Sequence, residues 1–253
     1  MYEPIKSLGQ NFLVDKSIAR DMVNALESSL KGDVIEIGPG HGVVTDFLAD
    51  KFKDSKQDIY AVEIDERFFK KLENVYSGEE KIHLVHKDIL SWLPGYNPSG
   101  EFQIIGSLPY YITSPIIHSI IRMKKLPRIC VFLIQKEVAE KIKSKVPDSS
   151  YMSCFVQTFF DVLYLGKVPS SRFKPEPEVD GGILKLVRKN GDFTQEFKAK
   201  YEGFLHKAFS NPRKMLNKMF SKEELNKGDI DPTLRAQNLS ADEWVNFFKK
   251  ISL

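Results

Sequence analysis

Three glycines at alternate positions behind an acid, Glu36-Ile-Gly-Pro-Gly-His-Gly42, constrain this chain more than any other segment. A short apolar run, Asp33-Val-Ile-Glu-Ile37, leads into them, and Val43–Lys53 behind them carries apolar residues at helical spacing. Glycines at a strand-to-helix turn let the backbone approach a ligand and take conformations that a Cβ would block. A chain built this way folds around a parallel strand whose C-terminal end is a binding edge.

The pattern repeats downstream. Asp58-Ile-Tyr-Ala-Val62, Lys81-Ile-His-Leu-Val85, Phe102-Gln-Ile-Ile-Gly106 and Arg128-Ile-Cys-Val-Phe-Leu-Ile134 read as buried strands, and Glu66–Tyr76 and Ser114–Met123 as helices between them. Alternation of this kind predicts an α/β fold, a Rossmann-like parallel sheet covered on both faces. A helix over Asp15–Leu30 precedes it, capped by Asp15. After Gln135–Val146, the β-like runs Asp161–Val168 and Gly182–Val187 flank a Pro-rich turn, Pro169–Pro177; so close in sequence, they predict an antiparallel hairpin. Beyond Lys189 the strand signal ends, and Phe193–Phe209, Pro212–Met219 and Ala241–Ile251 read as helical. The expected organisation is a catalytic domain over residues 1–188 and a small all-helical domain over 189–253.

The glycine loop carries no lysine that could grip a phosphate, and its leading acid, Glu36, suits a cationic amino acid group better than a pyrophosphate. S-adenosylmethionine bears such a group and a sulfonium. With Gly38 and Gly40 as the close-approach positions, Glu63 ends the second strand about twenty residues on, where an acid accepts ribose hydroxyls. Asp88 ends the third strand and can accept a hydrogen bond from an adenine amino group. The fourth strand runs into Ser107-Leu108-Pro109-Tyr110.

That last segment fits methylation of an exocyclic amine. Adenine N6 is a poor nucleophile, because its lone pair is delocalised into the ring. Two acceptors on the amino hydrogens can aim the lone pair at a methyl carbon, and an aromatic ring can hold the base by stacking. Ser107 offers a side-chain oxygen, Leu108 its carbonyl, and Tyr110 a ring; Pro109 biases Leu108 toward an extended conformation.

These segments, together with Ser7-Leu-Gly-Gln-Asn-Phe-Leu13, Ser171-Arg-Phe-Lys-Pro-Glu-Pro-Glu-Val-Asp180 and Ala208-Phe-Ser-Asn-Pro-Arg-Lys214, carry a resemblance over nearly the whole chain. It resembles the small-subunit ribosomal RNA adenine N6-dimethyltransferases (16S rRNA dimethyladenosine transferases), whose catalytic fold is shared by the macrolide-resistance RNA methyltransferases. The resemblance implies that Asn11 and Leu13 line the methionine end of S-adenosylmethionine and that Phe173 stacks on the target base opposite Tyr110. It also implies dimethylation of two adjacent adenosines in a hairpin near the 3′ end of small-subunit rRNA. Ser107 departs from that family, which usually has asparagine there. The serine keeps a second reading in view, an assembly factor with weak or lost catalysis. A third reading is a resistance enzyme acting on large-subunit rRNA, and DNA adenine methylation is more distant; the segments Ser171–Asp180 and Ala208–Lys214 favour the small subunit.

A net charge of +3 says little about nucleic acid, so the RNA reading rests on where basic residues cluster. Arg172 and Lys174 bracket Phe173; Lys207, Lys214 and Lys218 share a helical face if the turn at Pro212 permits, and Arg213 is adjacent. These are the expected phosphate contacts to an immature small ribosomal subunit. The two cysteines, Cys130 and Cys154, lie in apolar surroundings and read as buried thiols; the histidines show no metal-ligand spacing, and no metal is expected. No apolar run approaches the ~18 residues of a membrane span. With no apolar signal region at the N-terminus, a cytoplasmic monomer is expected.

Overall fold

The computed structural model describes residues 9–191 and 193–252; the start of the Ser7–Leu13 segment, Ser7 and Leu8, lies outside the described residues. In chain order the elements are β1 (Phe12–Leu13), α1 (Lys16–Asn24), β2 (Val34–Ile37), α2 (Val43–Phe52), β3 (Ile59–Glu63), α3 (Glu66–Val75), β4 (Ile82–His86), α4 (Ile89–Trp92), β5 (Gln103–Ser107), α5 (Thr113–Arg122), β6 (Ile129–Gln135), α6 (Lys136–Lys143), α7 (Tyr151–Phe159), β7 (Phe160–Val168), β8 (Phe173–Lys174), β9 (Gly181–Arg188), α8 (Gln195–Phe209), α9 (Lys222–Gly228) and α10 (Ala241–Ser252).

Seven strands form one sheet in the order β4-β3-β2-β5-β6-β9-β7. The first five are parallel, with Glu36 opposite Ala61 and Ile105, and β9 runs antiparallel to β6 with Leu184 opposite Phe132. The fold is therefore the mixed α/β sheet expected, with β9 lying between β6 and β7. Central strands are buried almost throughout, β2 along its whole length and β6 up to Ile134, because helices cover both faces of a parallel sheet. Strand order reverses where β2 separates β3 from β5, so the C-terminal ends of these strands splay into a crevice. The alternation of apolar runs located each of the five parallel strands to within a residue at either end.

Two helical expectations fail, for backbone reasons. Asp15 caps α1 as expected, accepting the N–H groups of Ser17 and Ile18, but the helix stops at Asn24 instead of Leu30. The buried Gln103 side chain clamps Glu27 at both its N–H and its carbonyl, each at 2.8 Å, and Lys51 Nζ takes the carbonyls of Val23 and Leu26. These partners satisfy the backbone outside a helix. Likewise Pro212–Met219 is not a helix. α8 ends at Phe209, and only a single 3₁₀ turn, Leu216–Lys218, follows. The bond from Lys214 N–H to the Asn211 carbonyl makes a turn at Pro212; proline restricts the residue before it and lacks an N–H. Met215 then bridges to Arg235.

By contact density the chain forms two units, residues 1–139 with 163–188, and residues 140–162 with 189–253. The segment 140–162, read from sequence with the first domain, thus groups with the C-terminal helices, because α7 packs on α8 and α10. The core of this second unit is aromatic: Tyr201 and Trp244 are fully buried, Tyr201 Oη pairs with Thr158 Oγ1 at 3.0 Å, and Trp244 donates its indole N–H to the Ala236 carbonyl. Both cysteines are buried free thiols. Among the described residues no helix is long and apolar enough to cross a membrane.

Candidate active site

The C-terminal ends of β2, β3, β4 and β5 open into a pocket of about 240 Å³, walled on another side by residues 9–13 and by Phe173. All three glycines of the loop take left-handed φ, +66° at Gly38, +53° at Gly40 and +91° at Gly42. A β-carbon on Gly40 would lie 3.0 Å from the Phe12 ring, whereas one on Gly38 would meet nothing within 4 Å. Gly40 is thus required by the wall above it, and Gly38 by its backbone angle alone.

Two buried acids stand under this loop. Glu63 accepts the backbone N–H of Gly40 through Oε2 and that of Asp65 through Oε1, each at 2.9 Å. The carboxylate therefore ties the tip of the glycine loop to the end of β3. Burial raises its pKa against the pull of those two N–H groups. Glu36 is 1% exposed and accepts a hydrogen bond from Thr45 Oγ1 at 2.7 Å. Burial, aided by the nearby Glu63 and Asp46, pushes its pKa up to about 8. A carboxyl held in this state gains from any cationic group brought beside it. Asp88, exposed, caps α4 through the N–H of Leu90.

The end of β5 supplies the opposite wall. Ser107 is the last residue of the strand and pairs with Leu133. Leu108 donates its N–H to the Leu133 carbonyl at 2.9 Å, which extends the pairing one step past the strand and fixes its peptide plane. Pro109, at φ −57° and ψ 137°, turns the chain into a 3₁₀ turn over Tyr110–Ile112. Tyr110 is half-buried; its hydroxyl donates to the Val179 carbonyl at 3.5 Å, and burial with the nearby Asp180 raises its pKa.

Asn11, Leu13, Glu36, Gly38, Gly40, Glu63, Asp88, Ser107, Leu108, Pro109, Tyr110 and Phe173 all line this one pocket. β1 and β8 bring its two outlying members together: Leu13 sits opposite Phe173, and Phe12 opposite Lys174. Phe173 is 5% exposed and belongs to the hydrophobic core around Leu13, Val168 and Ile183, so it meets the pocket by an edge of the core. Asn11 donates to the Gly9 carbonyl at 3.4 Å.

The basic residues divide. Arg172 is held by Asp15 at 2.9 Å, and its carbonyl accepts the Val14 N–H, so it fastens β8 to the start of α1. Lys174 is exposed. In the second unit Lys207 lies 3.3 Å from Glu224 and over the Phe220 ring at 4.5 Å. Arg213, Lys214 and Lys218 are exposed and lie beyond the end of α8, so they share no helical face with Lys207.

Sequence reasoning passed over four contributors to the pocket. Phe12 and His41 line it and pack edge to face at 4.7 Å, each also against Phe68; burial and the nearby Lys71 lower the His41 pKa. Gln10 donates to Asp65 at 2.8 Å, closing the wall on the cap of α3. Arg67, on the same carboxylate, with Gln10 lowers the Asp65 pKa to about 2. Tyr111, beside the motif, also lines the pocket. The only sequence signal for Phe12 and Gln10 is their place inside the Ser7–Leu13 segment.

Comparisons with known proteins identify the family. The family described as ribosomal RNA adenine dimethylase matches residues 4–253. The chain is 34% identical to the ribosomal RNA small subunit methyltransferase A of Sulfurihydrogenibium sp., covering 97% of this chain and 95% of that protein. It is 35% identical to the protein of the same name from Mycoplasmopsis pulmonis, covering 97% and 98%. Among solved structures, a dimethyladenosine transferase from Plasmodium falciparum superposes with a TM-score of 0.78 at 23% identity, covering 95% of this chain and 97% of that one. The 23S rRNA methyltransferase ErmE superposes at 0.75 with 24% identity, covering 96% and 100%. Both structures share the fold. The family match spans almost the entire sequence, and the chain belongs to the ribosomal RNA adenine dimethylase family.

Proposed function

We propose that this protein transfers methyl groups from S-adenosylmethionine to N6 of two adjacent adenosines in the 3′-terminal hairpin of small-subunit rRNA, within an immature small subunit, as a cytoplasmic monomer. The observation that carries the reading is a single pocket in which the glycine loop and its two buried acids face the Ser107–Tyr110 wall. Bound there, S-adenosylmethionine supplies an electrophilic methyl group on a cationic sulfonium.

The residues present fit that cofactor. Gly38 and Gly40 leave the loop backbone bare, and Glu36 is a buried acid that favours a cationic neighbour. Asn11 and Leu13 close the methionine end, Glu63 has lone pairs left over for ribose hydroxyls, and Asp88 takes the adenine amino group. On the RNA side, Ser107 Oγ and the Leu108 carbonyl accept the two N6 hydrogens and aim the lone pair. Tyr110 and the edge of Phe173 hold the flipped base between them. Lys174, Arg213, Lys214 and Lys218 anchor flanking phosphates. The proton on N6 leaves after transfer, so no side chain in the pocket has to act as a strong base.

The test is to digest the RNA after incubating the protein with labelled S-adenosylmethionine and unmethylated small subunits, in parallel with large subunits. Labelled dimethyladenosine confined to the small-subunit hairpin is expected. Tight subunit binding without label would identify an assembly factor, and label in large-subunit RNA alone would identify a resistance-type enzyme.

A further inference from the structure

Tyr111 follows the catalytic segment, yet it is 56% exposed while it lines the same pocket as Tyr110. Apolar side chains this exposed are ordinary when scattered, but three features set this one apart. It sits on the one-turn 3₁₀ segment Tyr110–Ile112, pinned by the bond from Ile112 N–H to the Pro109 carbonyl at 3.2 Å. Its ring is backed by bare backbone: a β-carbon on Gly9 would fall 3.0 Å from Cδ1 and 3.1 Å from Cε1. Gly9 itself holds φ +56°, a conformation that favours glycine. The result is an aromatic ring on a hydrogen-bonded turn, approached at one edge by Gly9 and more than half exposed to solvent.

We infer that Tyr111 is a stacking platform for the nucleotide next to the target adenosine, and so positions the RNA. The inference rests on the proposed function and deepens it. Methylating one base of a hairpin requires that base to be unstacked, which strips its neighbour of a stacking partner. A planar, exposed ring beside the pocket returns that partner. Stacking on an aromatic side chain is tolerant of sequence but strongest for large purine faces, and the neighbour of either target is itself an adenine. Tyr110 holds the base inside the pocket; Tyr111, one residue on and outside the buried wall, keeps its neighbour from following it in.

The test compares the full-length protein with Tyr111→Ala and Tyr111→Phe, measuring KM separately for unmethylated small subunits and for S-adenosylmethionine. Tyr111→Ala should raise the subunit KM by at least about fivefold, the lower end for losing one stacking ring. Tyr111→Phe should match the parent, and the cofactor KM should stay within about twofold in both variants. A hairpin RNA carrying 2-aminopurine beside the target adenosine gives a direct readout: its fluorescence should be quenched on binding by the parent and by Tyr111→Phe, and not by Tyr111→Ala. An unchanged subunit KM in Tyr111→Ala, or equal quenching by all three proteins, would overturn the inference while leaving the proposed function intact. A cofactor KM that rises in step with the subunit KM would overturn it too, by assigning Tyr111 to the N-terminal wall instead. If the parent protein transfers no methyl to small subunits, the proposed function fails and the platform with it.

Discussion

Gly40 gives its backbone N–H to the carboxylate of Glu63, 23 residues away on the next strand, at 2.9 Å. The other oxygen of that carboxylate accepts the N–H of Asp65. One side chain therefore fixes both the tip of the glycine loop and the end of β3, the two places that the proposed function gives to the cofactor. Glu63→Gln can satisfy only one of these donors, since its amide NH2 accepts nothing. Leaving a buried N–H unpaired costs about 1–3 kcal/mol. The substitution should lower Tm and weaken S-adenosylmethionine binding together, read by thermal unfolding with and without the cofactor.

Glu36 should make S-adenosylmethionine binding and stability depend on pH in opposite senses. Its folded pKa, pushed up to about 8 mainly by burial, exceeds the ordinary 4.5. The folded state thus holds a proton that the unfolded state releases between those values. The resulting stability is complete below about pH 4.5 and is lost as pH rises toward 8. A cationic ligand favours the charged form, so S-adenosylmethionine binding should release close to one proton near pH 7 and tighten up to tenfold per pH unit until about pH 8. Calorimetry in buffers of different ionisation enthalpy measures that release, and Glu36→Gln should abolish it.

Ser107 should be a slower aiming device than the asparagine that the family usually carries. Its hydroxyl reaches less far than a carboxamide and can donate elsewhere. Restoring one well-placed acceptor with Ser107→Asn should speed single-turnover methyl transfer by roughly 3- to 10-fold, the weight of one hydrogen bond. An unchanged or slower step would mean that the serine already aims N6 as well as a carboxamide would.

Lys207, Arg213, Lys214 and Lys218, all in the second unit, should separate into two kinds. Arg213, Lys214 and Lys218 are exposed, and changing all three to alanine should reduce the slope of log K against log salt by about 2–3 in subunit binding. Lys207 is engaged by Glu224 and Phe220. Lys207→Ala should instead lower Tm slightly and leave the salt slope within about one unit of the parent.

How far the sequence reached is clearest at these same residues. The parallel strands were legible because burial on both faces leaves unbroken apolar runs, and the glycine loop because Glu36 precedes it and the next two strands run into the acids Glu63 and Asp88. The pocket residues at the ends of β2, β3, β4 and β5 converge by the topology of a parallel sheet, whereas Asn11, Leu13 and Phe173 reach the same pocket through β1 and β8. What lay beyond reach were interactions between distant side chains and backbone. Nothing near Glu27 shows that Gln103, far along the chain, ends the preceding helix early. Nor does any local pattern reveal that Arg172 is tied to Asp15, or that the turn at Pro212 takes Lys214 and Lys218 off the face of Lys207. Helix α7, a short run of mostly buried residues leading directly into β7, was missed.

Whether this pocket brings S-adenosylmethionine to adenine N6 of small-subunit rRNA is decided by nucleoside analysis of small subunits incubated with labelled cofactor. The account predicts labelled N6,N6-dimethyladenosine at two adjacent positions of the 3′ hairpin, and none when Tyr110 is replaced by alanine. Unlabelled small-subunit RNA after incubation with an intact, cofactor-binding protein would contradict it.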